Sequence, residues 1–282
     1  MAPKTKIFPV ENHREREKGV LVYPVLSRRS GGLSVGINLF PDKKQCQFNC
    51  PYCEVFPFTC DAAFSLEQME GDLQTAIAAA MEQQVPVKDI CFSGNGEPTI
   101  SPFFSEALKR AGSIRSKMVP SAEMVLITNG VGLLQPSLFH ILRDAAGGSL
   151  ALNIWLKLDA GTRGWYQQMN CSAVPFDALI KKIQEFTACA PAAIQTMLCA
   201  VDGNSPPPDE AQTWETLMCT LAATPAEKTG GIHKVQIYGK VRPAPEDPKT
   251  TPLPLEYLEE RAASLRKAFA QKSITTPVVV YR

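Results

Sequence analysis

Three cysteines lie within eight residues of one segment, CQFNCPYC, which begins at Cys46. Cys46, Cys50 and Cys53 have the spacing C-x3-C-x2-C, and Tyr52 stands directly before the last of them. Thiolates bind zinc and iron–sulfur clusters, and a closed site of either kind takes four protein ligands. Three thiolates on a four-iron cluster would leave one iron open to an outside ligand. The spacing therefore favours a metal centre with one open position.

A structural zinc site is the alternative interpretation of this segment. Cys60, seven residues after Cys53, could supply a fourth ligand. The remaining cysteines are scattered without a second paired spacing, so most are expected to be small buried side chains. Cys60 and Cys91 could also line the cavity of the site.

Three further polar motifs each follow an apolar run, as the cysteines do. They are SGNGEPT (Ser93–Thr99), TNG (Thr128–Gly130) and KLDAG (Lys157–Gly161). In parallel α/β folds the functional site lies at the carboxyl ends of the strands, in the loops that follow them. The four motifs are therefore predicted to converge on one face of the fold.

Six short runs rich in Val, Ile, Leu and aromatic residues read as strands. They cover residues 33–40, 88–93, 123–129, 152–159, 192–202 and 233–241. Segments with apolar residues at helical spacing lie between several of them and after the last. This alternation indicates an α/β fold with parallel strands and outer helices, and six units fit a partial (β/α)6 barrel. A doubly wound open sheet is the alternative, because both folds have the same periodicity.

The predicted domain organisation has one core with short extensions. Residues 1–32 form an N-terminal extension, residues 33–245 the core barrel, and residues 246–282 a C-terminal helix and tail packed on the barrel.

The overall composition sets limits on location and partners. The chain has 282 residues, 45% of them hydrophobic, nine cysteines and a net charge of +1. No run reaches the roughly 18 apolar residues of a membrane span, and no signal-peptide core is visible, so a cytoplasmic protein without membrane contact is predicted. The charge gives nucleic-acid binding little support. Nucleic-acid binding stays an alternative because the N-terminal part of the chain contains a basic arm. The arm comprises Arg14, Arg16, Lys18, Arg28 and Arg29.

The cysteine spacing with its aromatic residue, placed after a strand, resembles that of the radical S-adenosylmethionine superfamily, and GNGEPT after the second strand strengthens the match. The resemblance extends from about Leu33 to the final helix. The segments SVGINLFPDKKQCQFNCPYCE, LITNG and VQIYGKVRPAPED look like one branch. That branch contains short iron–sulfur oxidoreductases related to the wyosine-type tRNA synthases.

The resemblance implies a [4Fe-4S] cluster on Cys46, Cys50 and Cys53. The amino and carboxylate groups of S-adenosylmethionine would bind its open iron. An outside electron donor, of flavodoxin or ferredoxin type, would reduce the cluster. The cofactor would then split into methionine and a 5′-deoxyadenosyl radical, which abstracts hydrogen from a substrate.

The resemblance also implies cofactor contacts from the other motifs. Asn95, Gly96 and Glu97 match the Gly-Gly-Glu motif that meets the methionyl ammonium, with Asn in place of the first Gly. Thr128 and Asn129 stand where polar contacts to the ribose are usual. The last pair, Lys157 and Asp159, would meet the substrate or the carboxylate and ribose of the cofactor.

The sequence differs from the wyosine-type synthases in one feature, so their reaction is not assigned to this chain. The wyosine-type synthases have three further cysteines before the radical motif, whereas residues 1–45 contain none. The substrate therefore stays open between a small molecule, a nucleotide and a protein. A tRNA- or nucleotide-modifying enzyme and a glycyl-radical-type activase are alternatives within the superfamily, and a non-catalytic iron–sulfur protein is the alternative from another class.

Overall fold

The computed structural model describes residues 18–223 and 230–281. The predicted basic residues Arg14 and Arg16 lie outside this part. The chain divides into two compact units. Of the described residues, the first unit comprises 18–46, 57–127 and 150–153, and the second comprises 47–56, 128–149, 154–223 and 230–281.

The first unit contains four strands in sequential order. Strand β1 (Val22–Ser27) is antiparallel to β2 (Gly32–Ile37), and β2, β3 (Val87–Phe92) and β4 (Glu123–Thr128) run parallel. The sequence patterns predicted β2 to β4 and missed β1. The reason is Pro24, which weakens a strand signal but is tolerated on a strand at the edge of a sheet.

Two helices connect the parallel strands of the first unit. Helix α1 (Leu66–Glu82) follows β2, and α2 (Phe104–Met118) follows β3. The Ser65 hydroxyl accepts the N–H of Gln68 and so caps the start of α1. Met81 lies in the last turn of α1 and is 55% exposed. The stripe buried in α1 comprises Met69, Leu73 and Ile77.

The second unit has four parallel strands and a short antiparallel one. The parallel strands follow the order β5 (Asn153–Lys157), β6 (Pro191–Val201), β7 (Gly231–Gly239) and β9 (Val278–Tyr281). Strand β8 (Thr250–Pro252) pairs with β6 in antiparallel orientation. Neither β8 nor β9 was predicted, because both are short.

The described residues of the second unit include five helices. They are α3 (Pro136–Gly147), α4 (Arg163–Asn170), α5 (Phe176–Cys189), α6 (Pro208–Ala223) and α7 (Leu255–Gln271). The predicted apolar face of α7 is confirmed by burial of Leu258, Ala262, Leu265 and Phe269. No helix within residues 18–223 and 230–281 combines the length and apolar character that crossing a membrane requires.

Each of the strands β2 to β7 is followed by at least one helix before the next parallel strand. The predicted α/β class is therefore confirmed. Within each unit the strand order follows the chain, without the reversal that defines a doubly wound sheet. Sequential parallel β/α units are the arrangement of a (β/α) barrel.

Gly36 on β2 provides a test of the packing in the first unit. A Cβ there would lie 2.1 Å from Cζ of Tyr23, a buried ring whose hydroxyl is 2.6 Å from Ser93 Oγ. Gly36→Ala should lower the free energy of unfolding by about 1–3 kcal/mol through overpacking. Urea denaturation followed by circular dichroism measures the change.

Gly71 in α1 is the matched control, because no atom lies within 4 Å of its added Cβ. Gly71→Ala should raise the free energy of unfolding by about 0.5–1 kcal/mol, since alanine favours a helix interior. Equal effects of the two substitutions would contradict the described packing of β1 on β2.

Candidate functional site

The first unit joins the GNGEPT motif to the residue before Cys46. Gln45 donates its N–H to the Asn95 carbonyl, and Glu97 donates its N–H to the Gln45 carbonyl, each at 2.9 Å. A Cβ on Gly96 would lie 1.7 Å from that same Gln45 oxygen. Only glycine allows this close approach of the two main chains, so Gly96 fixes the start of the cysteine segment.

The Asn95 side chain secures the motif to the chain that follows β2. Its Nδ2 donates to the Phe40 carbonyl at 3.1 Å, and its main-chain N–H donates to Asn38 Oδ1 at 3.1 Å. Asn95, which stands in place of the first glycine of the Gly-Gly-Glu motif, therefore has a structural role of its own. Its predicted contact with the cofactor stays a prediction.

Glu97 is 3% exposed and caps a short 3-10 helix, Pro98–Ile100. Its Oε1 accepts the Thr99 N–H at 3.1 Å and the Thr99 hydroxyl at 2.7 Å. These bonds orient the carboxylate at the end of the predicted motif. Its contact with an ammonium group also stays a prediction.

In the second unit, the part of the cysteine segment at residues 47–53 lies on the carboxyl end of α4. Phe48 packs edge-on against Tyr166 with ring centroids 5.6 Å apart. The Asn49 N–H donates to the Asn170 carbonyl at 3.0 Å, and the hydroxyl of Ser172 donates to the carbonyl of residue 47 at 3.2 Å. Helix α4 is therefore the support on which this loop folds.

Cys50 contacts the side chain of Asn170, whose Nδ2 is 3.5 Å from the cysteine Sγ. Burial of the thiol raises the pKa of Cys50 to about 12, and the nearby Asp159 carboxylate acts in the same direction. The hydrogen bond from Asn170 opposes the increase in this pKa. The Asn170 amide thus partly offsets the effect of burial at this sulfur, which binds metals as the thiolate.

Asp159 is the centre of the polar network in the second unit. Its Oδ1 accepts from Lys157 Nζ at 2.7 Å and from the Met197 N–H at 2.8 Å. Its Oδ2 accepts from Asn170 Nδ2 at 3.0 Å and from the Tyr52 hydroxyl. A carboxylate has about four acceptor positions, so these donors fill them. A ligand contact with Asp159, as predicted, would have to displace one of the donors.

Lys157 links Asp159 to Tyr238 on β7. Its Nζ is 2.6 Å from the Tyr238 hydroxyl and 4.6 Å from the centre of that ring. Burial alone lowers the pKa of Lys157, but Asp159 and Tyr238 outweigh burial and raise it above its ordinary value. Lys157 is therefore a cation at neutral pH, with a side chain that is 13% exposed.

Thr128 and Asn129 shape the turn after β4. Thr128 Oγ1 accepts the Gly130 N–H, and Asn129 Oδ1 accepts the Val131 N–H, each at 3.0 Å. Gly130 has a φ of +82°, which glycine adopts without strain. These bonds match an ordinary strand-to-loop turn, and the predicted contact of both residues with ribose stays a prediction.

The segment after β7 holds the other side of the cysteine loop. Arg242 forms an ion pair with Glu54, and the Thr250 hydroxyl lies 3.4 Å from the Pro51 carbonyl. Cys53 closes the loop itself by donating its N–H to the Cys50 carbonyl at 3.0 Å. Arg242 thus has an ion-pair partner within the protein.

None of the nine cysteines forms a disulfide. The Cys60 thiol donates to the Pro41 carbonyl at 3.2 Å, and Cys91 is buried on β3. In the part of the chain that is described, no three His, Cys, Asp or Glu side chains stand together in a ready-made metal site. The donor set of Cys46, Cys50 and Cys53 nevertheless fits a cluster, because all three are thiols and a buried amide donates to one of them.

Two glutamines lie in register with Lys157 on the neighbouring strands β6 and β7. Lys157 and Gln195 are register partners, as are Gln195 and Gln236. Gln195 Nε2 donates to Gln236 Oε1 at 3.0 Å, and both residues are 0% exposed. The remaining atoms, Gln195 Oε1 and Gln236 Nε2, have no hydrogen-bond partner among the described residues. Neither glutamine was predicted as a site residue, although their alignment could have suggested a shared face.

The glutamine pair yields a stability test. Gln195→Leu alone should lower the free energy of unfolding by about 1–3 kcal/mol, because Gln236 is left buried without a partner. The double variant with Gln236→Leu should recover most of this loss, since both polar groups are then removed. Chemical denaturation of the wild type, the two single variants and the double variant measures the coupling free energy between the two glutamines. Strictly additive changes in the free energy of unfolding would contradict their hydrogen bond.

Comparison with known families identifies partial relatives. No family model matches the chain. A UPF0026 protein of Helicobacter pylori (strain 26695) is 32% identical over 127 residues, which cover 43% of this chain and 38% of that protein. A UPF0026 protein of Synechocystis sp. is 27% identical over 174 residues, which cover 58% of each chain. The matched segments thus span well under two thirds of these relatives.

Solved structures match more of the chain. Streptococcus suis SuiB bound to S-adenosylmethionine superposes with a TM-score of 0.64 and 14% identity, covering 85% of this chain and 49% of SuiB. A radical SAM methyltransferase from Sphaerobacter thermophilus gives 0.62 and 15%, covering 92% and 68%. Archaeal TYW1 gives 0.54 and 12%, covering 91% and 86%.

These likenesses confirm the fold predicted from the motifs. The chain has the partial (β/α)6 barrel fold of the radical S-adenosylmethionine enzymes.

Proposed function

We propose that this chain is a radical S-adenosylmethionine enzyme that holds one [4Fe-4S] cluster on Cys46, Cys50 and Cys53. The observation that carries the proposal is the anchoring of this cysteine segment. Main-chain bonds from Asn95 and Glu97 hold the residue before Cys46, and α4 supports the loop with Cys50. Three thiols secured in this way suit a cluster with one open iron.

When bound and reduced, the cluster would supply one electron for cleavage of S-adenosylmethionine into methionine and a 5′-deoxyadenosyl radical, the species that would take a hydrogen atom from the substrate. The protein's own residues bind and orient the cofactor. Glu97 would form a charge-assisted bond with the methionyl ammonium, and Gly96 lets the main chain come close. Lys157 would offer a cation to a carboxylate of the cofactor or the substrate.

The proposed partners are an external one-electron donor, of flavodoxin or ferredoxin type, and a substrate of undetermined class. One solved relative, SuiB, has been crystallised with its precursor peptide SuiA, which keeps a peptide among the candidates beside a small molecule and a nucleotide. A cytoplasmic location belongs to the same proposal, because cysteines that form no disulfide suit a reducing compartment.

The test is anaerobic reconstitution with iron and sulfide, followed by dithionite and S-adenosylmethionine. The wild-type protein should bind about four irons and release 5′-deoxyadenosine, measured by mass spectrometry. Cys50→Ala should abolish the product, because the cluster loses one of three ligands. Cys60→Ala is the matched control and should retain iron and product.

Three other outcomes would change the assigned function or the next experiment. Loss of metal in Cys60→Ala, with tightly bound zinc in the wild type, would favour the structural zinc site. A cluster without binding of S-adenosylmethionine would favour a non-catalytic iron–sulfur protein. Bound cofactor without product would require a search for the substrate, with deuterium transfer into 5′-deoxyadenosine as the readout.

Gly96→Ala tests the anchoring itself. Its methyl group would overlap the Gln45 carbonyl, so the variant should lose at least about tenfold in affinity for S-adenosylmethionine, or about 1.4 kcal/mol. Equilibrium binding to the reconstituted protein measures the loss. Gly164→Ala, with no atom within 4 Å of the added methyl, should bind as the wild type does. Unchanged affinity in Gly96→Ala would contradict the proposed anchoring.

A further inference from the structure

Asn170 is the last residue of α4, and its side-chain amide lies between Cys50 and a buried carboxylate. Its Nδ2 is 3.5 Å from Cys50 Sγ and 3.0 Å from Asp159 Oδ2. An amide nitrogen carries two hydrogens, so it can donate to both acceptors at once. Because the residue is 2% exposed, water does not compete for these bonds.

The neighbouring carboxylate fixes which way the amide points. Asp159 accepts hydrogen bonds and, as an anion, has none to donate. The amide oxygen of Asn170 in the same place would face a negative oxygen without a proton between them. Nδ2 must therefore face Asp159, and its second hydrogen is left for the sulfur of Cys50.

Tyr52 lies close to the same thiol, but its hydroxyl hydrogen is not available for a bond to the sulfur. A tyrosine hydroxyl carries a single hydrogen, and the Tyr52 hydroxyl donates it to Asp159. The charge of Lys157 is likewise engaged, since its Nζ is bonded to Asp159 and Tyr238. Asn170 is thus the neighbour that can keep an N–H on the sulfur while Asp159 stays fully bonded.

The side chain of Asn170 is not needed to attach α4 to the cysteine loop. The main-chain carbonyl of Asn170 already accepts the Asn49 N–H, and Ser172 bonds to the same loop. The amide is therefore available for the chemistry of the sulfur rather than for holding the helix end.

We propose that Asn170 is a positioning residue of the cluster, which donates an N–H to the Cys50 sulfur and raises the reduction potential of the cluster. This inference rests on the proposed function, because it requires a cluster on Cys50. Reduction adds negative charge that spreads onto the ligand sulfurs. A hydrogen-bond donor at a sulfur stabilises that charge, and such bonds are among the determinants of cluster potential.

The test compares reduction potentials of reconstituted proteins by redox titration monitored with electron paramagnetic resonance. Asn170→Leu keeps the branched shape of the side chain and removes the donor, so its potential should be more negative than that of the wild type. The expected change is about a tenfold loss in the equilibrium constant for reduction, or about 59 mV for a one-electron couple. Asn170→His, with a ring N–H, should recover part of the loss.

Gln168→Leu is the matched control, because it makes a similar amide-to-alkyl change on an exposed position of the same helix. Its potential should equal that of the wild type. Should Asn170→Leu fail to fold, as judged by circular dichroism, Asn170→Ala and Asn170→Ser replace it. Iron and sulfide contents are measured for every protein, so that potentials are compared at equal cluster loading.

Equal potentials in the wild type and the Asn170 variants would overturn the inference and leave the proposed function intact. A shifted potential in a protein that releases no 5′-deoxyadenosine would support the inference while the proposed function fails. A wild-type protein that assembles no cluster would overturn both.

Discussion

The second unit is organised around one buried anion, the carboxylate of Asp159. Moving an isolated carboxylate out of water is costly, and this cost is offset only when the charge is paired and its oxygens are hydrogen-bonded. Asp159 meets the requirement with four donors from four different parts of the chain: the cysteine loop, the end of β5, the end of α4 and the main chain of β6. Each donor is positioned by the same charge, so the geometry around Cys50 depends on it.

Pairing Lys157 with Asp159 also determines the electrostatics around the loop. The two charges nearly cancel, so the thiols of the loop do not face an unpaired cation in this network. Neutral donors such as the Asn170 amide, which contacts the Cys50 sulfur, provide polar contacts instead. Such donors stabilise an anion by direction and proximity rather than by net charge, and a change of salt concentration affects them less than an exposed ion pair.

Local patterns predicted the elements whose signal is confined to a few neighbouring residues. The cysteine spacing, the parallel strands and the apolar face of α7 are of this kind. Asn170 and Tyr238 escaped prediction because their partners, Cys50 and Lys157, are 120 and 81 residues away. No spacing marks such pairs. The sequence also did not predict which side chains of β6 point to the polar side of the sheet. The strand is buried on both sides and lacks the alternation of apolar and polar residues that would mark an inner face.

The support of the cysteine loop has a consequence for the order of folding. Its contacts in the second unit join residues that are far apart along the chain, with separations of 107 residues to Asp159, 188 to Arg242 and 199 to Thr250. Contacts of this range form late, because the intervening chain must first be brought together. During synthesis, which proceeds from the N-terminus, the loop emerges well before its supports. The thiols thus stay in an unsupported segment until the chain has been made as far as Thr250, and they depend on a reducing environment during that interval.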